Sequence, residues 1–127
     1  MRAGMPQAHI TRIESRVGLG IPDCIVAIDR RFTLVELKVV TSGRKVKLSP
    51  HQVAFHLKHA HMGCPTFVLV EYHPPASLGK KPQILLYEGK MVEDILGQGI
   101  DAKNALATDL TPSGWNRVFE VLCDRLK

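Results

Sequence analysis

Two apolar runs in the first third of the chain show the clearest pattern of hydrophobic and polar positions. The run CIVAI directly follows Asp23, and the run FTLVELKVV extends from Phe32 to Val40. Both are rich in β-branched and apolar residues, so each predicts a buried strand. The link between them, around residues 29–31, is too short for a crossover helix. The two strands are therefore predicted to form an antiparallel hairpin.

Three charged residues fall within this hairpin. Side chains alternate between the faces of a strand, so Glu36 and Lys38 must share one face. A two-residue loop at positions 29–30 or 30–31 places Asp23 opposite Glu36 or Lys38, on that same face. A register shifted by one residue would send Asp23 to the other face. We expect the first arrangement, in which the three groups converge.

Such a cluster in a sheet indicates ion binding or catalysis, because unpaired buried charge is strongly unfavourable. Two neighbouring carboxylates raise each other's pKa unless a cation lies between them. Mg²⁺ takes oxygen ligands, typically one or two carboxylates completed by water and phosphate oxygens, and Mn²⁺ is an alternative. Asp23 and Glu36 are therefore candidate metal ligands and catalytic acids. Lys38 is the candidate for a cation that faces a phosphate group to be cleaved, or that positions the water molecule that attacks this phosphate.

The segment before the hairpin contributes a third candidate acid. Residues 7–17 place apolar side chains at helical spacing, and Gly18–Gly20 supplies a helix C-cap, so a helix is predicted there. Glu14 falls on the apolar face of that helix. It is a candidate catalytic residue and metal ligand, directly or through water. The alternative is a surface glutamate paired with Arg12 or Arg16.

A polar loop and a well-marked helix follow the second strand. The loop TSGRKVKL (residues 41–48) is expected beside the site, where Arg44, Lys45 and Lys47 would contact DNA phosphates together with Ser49. A solvated loop is the alternative. Ser49 is also a natural N-cap, with Pro50 and Gln52 completing a capping box, for a helix that ends at Gly63.

Four histidines in and beside this helix, with Cys64 after it, are residue types that could form a zinc site. The helix scatters them around its circumference, and no second cysteine pair completes a tetrahedral set, so a structural zinc is not expected. His51 and His56 are expected on the surface, with a DNA contact as the alternative.

The rest of the chain completes an α/β pattern. Residues 65–72 predict a central strand, parallel to the preceding one because a helix connects them. Residues 83–87 predict a fourth strand, residues 91–96 a short helix, and residues 97–110 a loop with a helical fragment. The fold class is therefore α/β, a mixed sheet of about four strands flanked by helices. One domain spans 1–127, with a core of about 7–88 and a C-terminal helical extension of about 90–127.

A terminal helix is predicted after Thr111–Pro112, which is a helix-starting pair. It carries one apolar stripe, and this stripe either packs on the core or makes a homodimer contact. The stripe contains Trp115, Val118, Phe119, Leu122 and Leu126.

Composition limits the class of protein. A hydrophobic content of 45% and a mean hydropathy of zero are typical of a globular domain. No apolar run reaches the roughly 18 residues of a membrane span, and the N-terminus lacks an apolar signal region, so a cytoplasmic location is expected. The three cysteines (Cys24, Cys64, Cys123) are expected to be reduced core residues. A net charge of +5 with a pI near 9.3 favours an anionic partner such as nucleic acid.

The motif residues resemble a known nuclease signature. Pro22-Asp23 followed by Glu36-Leu37-Lys38 resembles the PD-(D/E)XK pattern. Glu14, Gly20 and the pair Ser49-x-x-Gln52 narrow the resemblance to the VRR-NUC branch and, more loosely, to archaeal-type Holliday-junction resolvases. The resemblance covers about the first two-thirds of the chain. It implies a restriction-endonuclease-like core, the backbone carbonyl of Leu37 as a metal ligand, and Gln52 at the edge of the active site.

The function expected from residues and resemblance together is Mg²⁺-dependent hydrolysis of phosphodiester bonds in DNA. Branched DNA, such as a four-way junction, is the expected substrate, which implies a role in DNA repair or recombination. The alternatives are a sequence-specific restriction-type nuclease and a non-catalytic nucleic-acid-binding module of the same fold. A scaffold protein with a plain ion-pair network is a third alternative.

Overall fold

A computed structural model describes residues 8–13, 20–28, 30–79, 81–100, 105–110 and 114–126. Six strands form one sheet in the order β1-β2-β3-β4-β5-β6, in which only β3 and β4 are parallel. The elements in chain order are β1 (Ala8–Arg12), β2 (Cys24–Ile28), β3 (Arg31–Val40), α1 (Pro50–His61), β4 (Phe67–Tyr72), β5 (Gln83–Glu88), α2 (Val92–Gln98), β6 (Ala107–Leu110) and α3 (Gly114–Arg125). The predicted α/β class with a mixed sheet is confirmed.

The β2–β3 hairpin has the predicted register. Ile28 pairs with Arg31, which makes positions 29–30 the two-residue loop, although position 29 itself lies outside the described residues. At the other end Cys24 pairs with Val35. One further step along the same register brings Asp23 opposite Glu36, on the same face of the sheet.

Each face of the sheet buries its own apolar cluster. The face that carries Glu36 and Lys38, here called the α1 face, is covered by α1 and α2. Its cluster contains Val68, Val70, Leu85, Tyr87, Val92 and Ile95. The opposite face, here called the α3 face, packs Val118 and Leu122 of α3 against the alternate residues of the same strands. The middle of β3 is covered on both faces, so the Glu36 side chain on its α1 face is held in a largely apolar setting.

The first described segment is a strand, so the prediction of a helix over residues 7–17 is wrong for residues 8–12. Ile10 is buried and pairs with Val26, while His9 and Thr11 are exposed. This alternation has a period of two, and the neighbouring β2 edge supplies the backbone partners that a strand requires. Glu14 and residues 15–19 lie outside the described residues.

Gly20 is required where the chain enters the site. Its φ is +84°, and a Cβ there would collide with the backbone carbonyl of His51 in the first turn of α1. Only glycine combines a left-handed conformation with such a close approach. The contact brings the segment before Asp23 against the N-terminus of α1, from which Gln52 also reaches the site.

The helices and the C-terminal region agree with the prediction in part. α1 begins at the predicted capping box, and α2 and α3 occupy the predicted helical regions, with Val118 and Leu122 of the terminal stripe buried. Thr111–Pro112 and the side chains of Trp115 and Phe119 lie outside the described residues. Residues 97–110 differ from the predicted loop with a helical fragment. They contain β6, which pairs with β5 at the edge of the sheet.

Two smaller findings concern the cysteines and the membrane. Cys24 is buried and Cys123 is half-buried, as expected for core thiols, but Cys64 is exposed in the turn after α1. None of these three described cysteines forms a disulfide. Within the part of the chain that the structure describes, no helix is both long enough and apolar enough to cross a membrane.

Candidate active site

Asp23 is fixed at the start of β2 by backbone contacts. Its Oδ2 accepts a hydrogen bond of 2.9 Å from the backbone N–H of Leu37, and its own carbonyl accepts one of 2.7 Å from Ile13. The carboxylate of Asp23 is thereby bound directly to the strand that carries Glu36 and Lys38. The predicted convergence of these residues is present in the structure.

Glu36 projects from the middle of β3 and is only 2% exposed. Its Oε1 accepts a hydrogen bond of 2.6 Å from Nε2 of Gln52 and lies 3.6 Å from Nζ of Lys38. Its Oε2 is buried and has no hydrogen-bond partner. A buried carboxylate oxygen without a partner is strongly unfavourable, so this atom marks the position where a ligand of Glu36 would bind.

Gln52 connects the helix cap to the charged residues. Its Oε1 accepts hydrogen bonds from the backbone N–H of Ser49, at 2.9 Å, and from Nζ of Lys38, at 3.2 Å. The Ser49 hydroxyl in turn accepts from the backbone N–H of Gln52, at 3.1 Å. The capping box predicted for α1 is therefore confirmed, and its glutamine also holds both Lys38 and Glu36 in place. Lys38 is 21% exposed, so its ammonium can face a substrate while Gln52 orients it.

The protonation of Glu36 follows from its surroundings. Burial, and after it the nearby charge of Asp23, raise the pKa of Glu36 to about 7 even though Lys38 acts to lower it. Near neutral pH, the ionised form of Glu36 therefore needs a second positive charge besides Lys38. This is the electrostatic condition under which a pair of carboxylates binds a cation.

The available oxygen atoms fit Mg²⁺ or Mn²⁺ better than Zn²⁺. Among the described residues no three Asp, Glu, His or Cys side chains converge, which leaves the carboxylates of Asp23 and Glu36 as the acidic donors. Mg²⁺ is commonly held by one or two carboxylates, with water and phosphate oxygens completing its shell. Each residue of a strand directs its own N–H and C=O groups to the same edge of that strand. The Leu37 N–H donates to Asp23, so the Leu37 carbonyl also lies on the edge that faces Asp23.

The loop of residues 41–49 lies beside the site, as predicted. Val46 and Leu48 are buried in the cluster on the α1 face, so the alternating residues Lys45 and Lys47 face outward. With Lys38, Ser49 and Gln52 they line a concave surface of about 740 Å³, here called the catalytic groove. Leu96 of α2 also lines this groove. It has room for a sugar-phosphate backbone beside Lys38.

Arg44 occupies a different position from the two lysines. Its Nε donates a 3.0 Å hydrogen bond to the carbonyl of Ile100, to which Nη2 also donates. The backbone N–H of Ile100 donates 2.7 Å to the carbonyl of Arg44. Arg44 therefore attaches the loop to the end of α2. The DNA contact predicted for Arg44 stays a prediction, whereas no sequence pattern indicated this anchoring contact.

His56 is completely buried, so its prediction as a surface residue is wrong. Its Nδ1 shares a 2.6 Å hydrogen bond with Oγ1 of Thr66, and its Nε2 has no partner. A Cβ at Gly89 would collide with both groups, which shows how closely the chain packs around the ring. Burial, with a smaller contribution from nearby His59, lowers the pKa of His56 to about 4. The ring is therefore neutral at physiological pH and acts as part of the core.

Comparison with known proteins gives one informative likeness. No family model and no curated protein matches the chain. Among solved structures, the chain is similar to Hjc, a Holliday junction resolvase from Archaeoglobus fulgidus, an archaeal hyperthermophile. The TM-score is 0.51 at 13% sequence identity, and the match covers 80% of this chain and 91% of that one. The two proteins share a fold.

This shared fold agrees with the resolvase-like core that the motif residues predicted. The narrower resemblance to the VRR-NUC branch stays a prediction. At such low identity a likeness identifies architecture and does not assign an activity. The case for a function therefore depends on the geometry of this chain's own residues.

Proposed function

We propose that this protein is a metal-dependent nuclease that hydrolyses phosphodiester bonds in DNA, within a single domain. The observation that carries the proposal is the buried Oε2 of Glu36, which has no hydrogen-bond partner. The other oxygen of that carboxylate lies 3.6 Å from Nζ of Lys38, and the Asp23 carboxylate is bound to the backbone of the neighbouring Leu37. A scaffold protein with a plain ion-pair network would instead satisfy both oxygens of a buried carboxylate. The DNA-processing activity stated in the name of the similar archaeal protein supports the same choice.

Asp23, Glu36 and the carbonyl of Leu37 would hold the Mg²⁺ or Mn²⁺ ion. Glu14, which lies outside the described residues, stays a predicted further ligand. When bound, such an ion supplies Lewis-acid stabilisation of the phosphate charge and lowers the pKa of a bound water. The buried Glu36 carboxylate and the anchored Asp23 carboxylate thus give the site a fixed geometry before any ligand arrives.

Lys38 would orient the attacking water, since its ammonium can donate hydrogen bonds but cannot accept the proton of that water. Its ammonium is held by Gln52 at 3.2 Å and by Glu36 at 3.6 Å, which leaves it little freedom to move. A fixed positive charge also offsets the negative charge that builds on phosphorus as the water oxygen attacks and the leaving oxygen departs. Gln52 is the positioning residue for this lysine.

The catalytic groove would receive the DNA backbone. Lys45 and Lys47 line it beside Lys38, and they would contact phosphates on either side of the cut. Contacts of this kind bind DNA without reading its sequence. We therefore favour recognition of branched DNA by shape, as with four-way junctions, over a restriction-type specificity for a base sequence.

A cleavage assay with matched variants tests the proposal. Purified protein is incubated with linear, flap and four-way-junction DNA in Mg²⁺, in Mn²⁺ and in EDTA. Wild-type protein is expected to cut branched DNA only with a divalent cation, and Asp23→Ala is expected to abolish cutting because it removes one of the two acidic donors. Cleavage at the wild-type rate by Asp23→Ala would falsify the mechanism.

The same assay separates the alternatives. A non-catalytic module would bind DNA in a gel shift but leave every substrate intact in either metal. Circular dichroism of Asp23→Ala provides the folding control, since a lost activity is informative only if the sheet is retained.

A further inference from the structure

A second concave surface lies at the opposite end of β3 from the catalytic groove. It has a volume of about 870 Å³ and lies where the β2–β3 hairpin, the end of α1 and the ends of β5 and α3 meet. We call it the hairpin pocket. Neither Asp23 nor Glu36, nor any residue of the catalytic groove, contributes to it.

The rim of the hairpin pocket is strongly basic. Four cationic side chains line it, and they are Arg30, Arg31, Lys90 and Arg125. Among the described residues that line the pocket, the one acid is Glu88, and two of the cations already bind it: Arg125 lies 2.8 Å from its Oε1 and Lys90 lies 3.2 Å from its Oε2. The pocket therefore presents a net positive charge to solvent, which favours an anionic ligand.

An exposed aromatic ring lies among these cations. Phe32 is 70% exposed and lies next to Arg30 and Arg31 in sequence, where it lines the pocket with them. Phe32 therefore offers an open aromatic face beside the cations, on which a planar group of a ligand can stack. Duplex DNA keeps its bases stacked inside, so an aromatic ring has nothing to stack on there. A single strand presents bare base faces together with phosphates.

We propose that the hairpin pocket binds an unpaired, single-stranded segment of the DNA substrate. Phe32 stacks on a base, and the arginines and lysine of the rim contact its phosphates. This inference rests on the proposed nuclease function, and it deepens that function by naming DNA with a single-stranded arm as the substrate class. An exposed aromatic ring with surrounding cations is the combination that single-strand-binding surfaces share.

The open part of the sheet connects the two sites. Side chains of β1 and β2 on the α1 face are exposed or half-buried: His9, Thr11, Ile25 and Ala27. This strip runs from Asp23 to the hairpin, alongside α1. Phe32 and Lys38 lie on the same face of β3, six residues apart, which corresponds to about 20 Å of extended strand.

A binding experiment in EDTA tests the proposal without cleavage. Fluorescence anisotropy measures the affinity for a fluorescent oligo-dT strand and for a blunt duplex of equal length, for wild type and variants. Phe32→Ala is expected to weaken oligo-dT binding about tenfold and to leave duplex binding unchanged. Phe32→Trp is expected to retain oligo-dT affinity. Leu78→Ala removes a similarly exposed apolar side chain outside the pocket and is the matched control.

Two further measurements define the site. Arg30→Gln should lower the salt slope of single-strand binding by about 0.7, the value for one lost phosphate contact. With duplexes that carry a single-stranded arm, affinity should rise with arm length and level off once the arm reaches from the catalytic groove to the hairpin pocket. Equal oligo-dT affinity for Phe32→Ala and Leu78→Ala, or no gain from any arm, overturns the inference. The cleavage assay judges the nuclease proposal separately, because cutting of fully paired branched DNA does not need the hairpin pocket.

Discussion

Replacing Glu36 by Gln is expected to abolish DNA cleavage and, at the same time, to stabilise the folded protein at pH 8 in EDTA. Cleavage should fall by about 10³-fold or more, since the substitution removes one of two acidic donors of the site. The stabilisation follows from burial, which with Asp23 raises the pKa of Glu36 to about 7 from an ordinary value of 4.5. A residue that is essential for activity would thus be unfavourable for folding.

The direction in which Glu36 changes the stability of the folded protein with pH follows from proton linkage. Between pH 4.5 and 7 the folded state binds more protons at Glu36 than the unfolded state does. The stabilising contribution of Glu36 is therefore complete below pH 4.5 and is lost as the pH rises through 7. At pH 8 the ionised carboxylate costs on the order of 3 kcal/mol, which Gln would recover in part.

Urea unfolding at pH 8 measures this change in the free energy of unfolding. Glu71→Gln is the matched control, because Glu71 lies on the adjacent strand β4 and is 50% exposed. It makes the same change in charge, yet it should alter the free energy of unfolding by no more than about 0.5 kcal/mol. A Glu36→Gln protein that is less stable than Glu71→Gln would contradict the assignment of a strained, unpaired carboxylate.

Acid is expected to destabilise the folded protein through protonation of His56. The effect should become visible once Glu36 is replaced by Gln. The pKa of His56 falls from an ordinary 6.5 to about 4 in the folded protein, so the unfolded state binds the extra proton. Stability should therefore decrease as the pH falls from 6.5 to 4, by on the order of 3 kcal/mol. Glu36 changes stability in the opposite direction over much of this range, so the wild-type profile should be nearly flat.

Unfolding measured from pH 4 to pH 8 separates the two residues. Glu36→Gln should show the full acid loss, and a second substitution, His56→Gln, should remove that slope even if it lowers stability overall. His61→Gln, at an exposed position of the same helix, is the control and should leave the profile unchanged. A steep acid slope that persists in the Glu36→Gln, His56→Gln protein would show that another group causes it.

The hairpin and its site could be predicted from sequence because local rules determine them. Once two apolar runs are joined by two residues, alternation of side chains fixes which residues share a face with Glu36. The α1 cap was equally predictable, since Ser49, Pro50 and Gln52 satisfy the helix N-terminus without help from distant residues. Gln52 forms its contacts to Lys38 and Glu36 because of that cap.

The errors arose where distant partners decide the structure. Ile10 suits a helix or a strand, and only pairing with Val26 across the sheet makes it a strand residue. His56 suits an exposed helix position until Thr66, ten residues later, supplies its hydrogen bond. Arg44 looks like one more cation of a basic loop, and its partner Ile100 lies fifty-six residues away. No local sequence pattern predicts those long-range contacts.

The most direct test of the account is calorimetric titration of Mn²⁺ into the protein at pH 7 without DNA. We predict that wild type and Glu71→Gln bind the ion with release of protons, because Glu36 is partly protonated at that pH. Glu36→Gln and Asp23→Asn should lose this binding. Equal Mn²⁺ affinity in all four proteins would contradict the claim that Asp23 and Glu36 form a cation site.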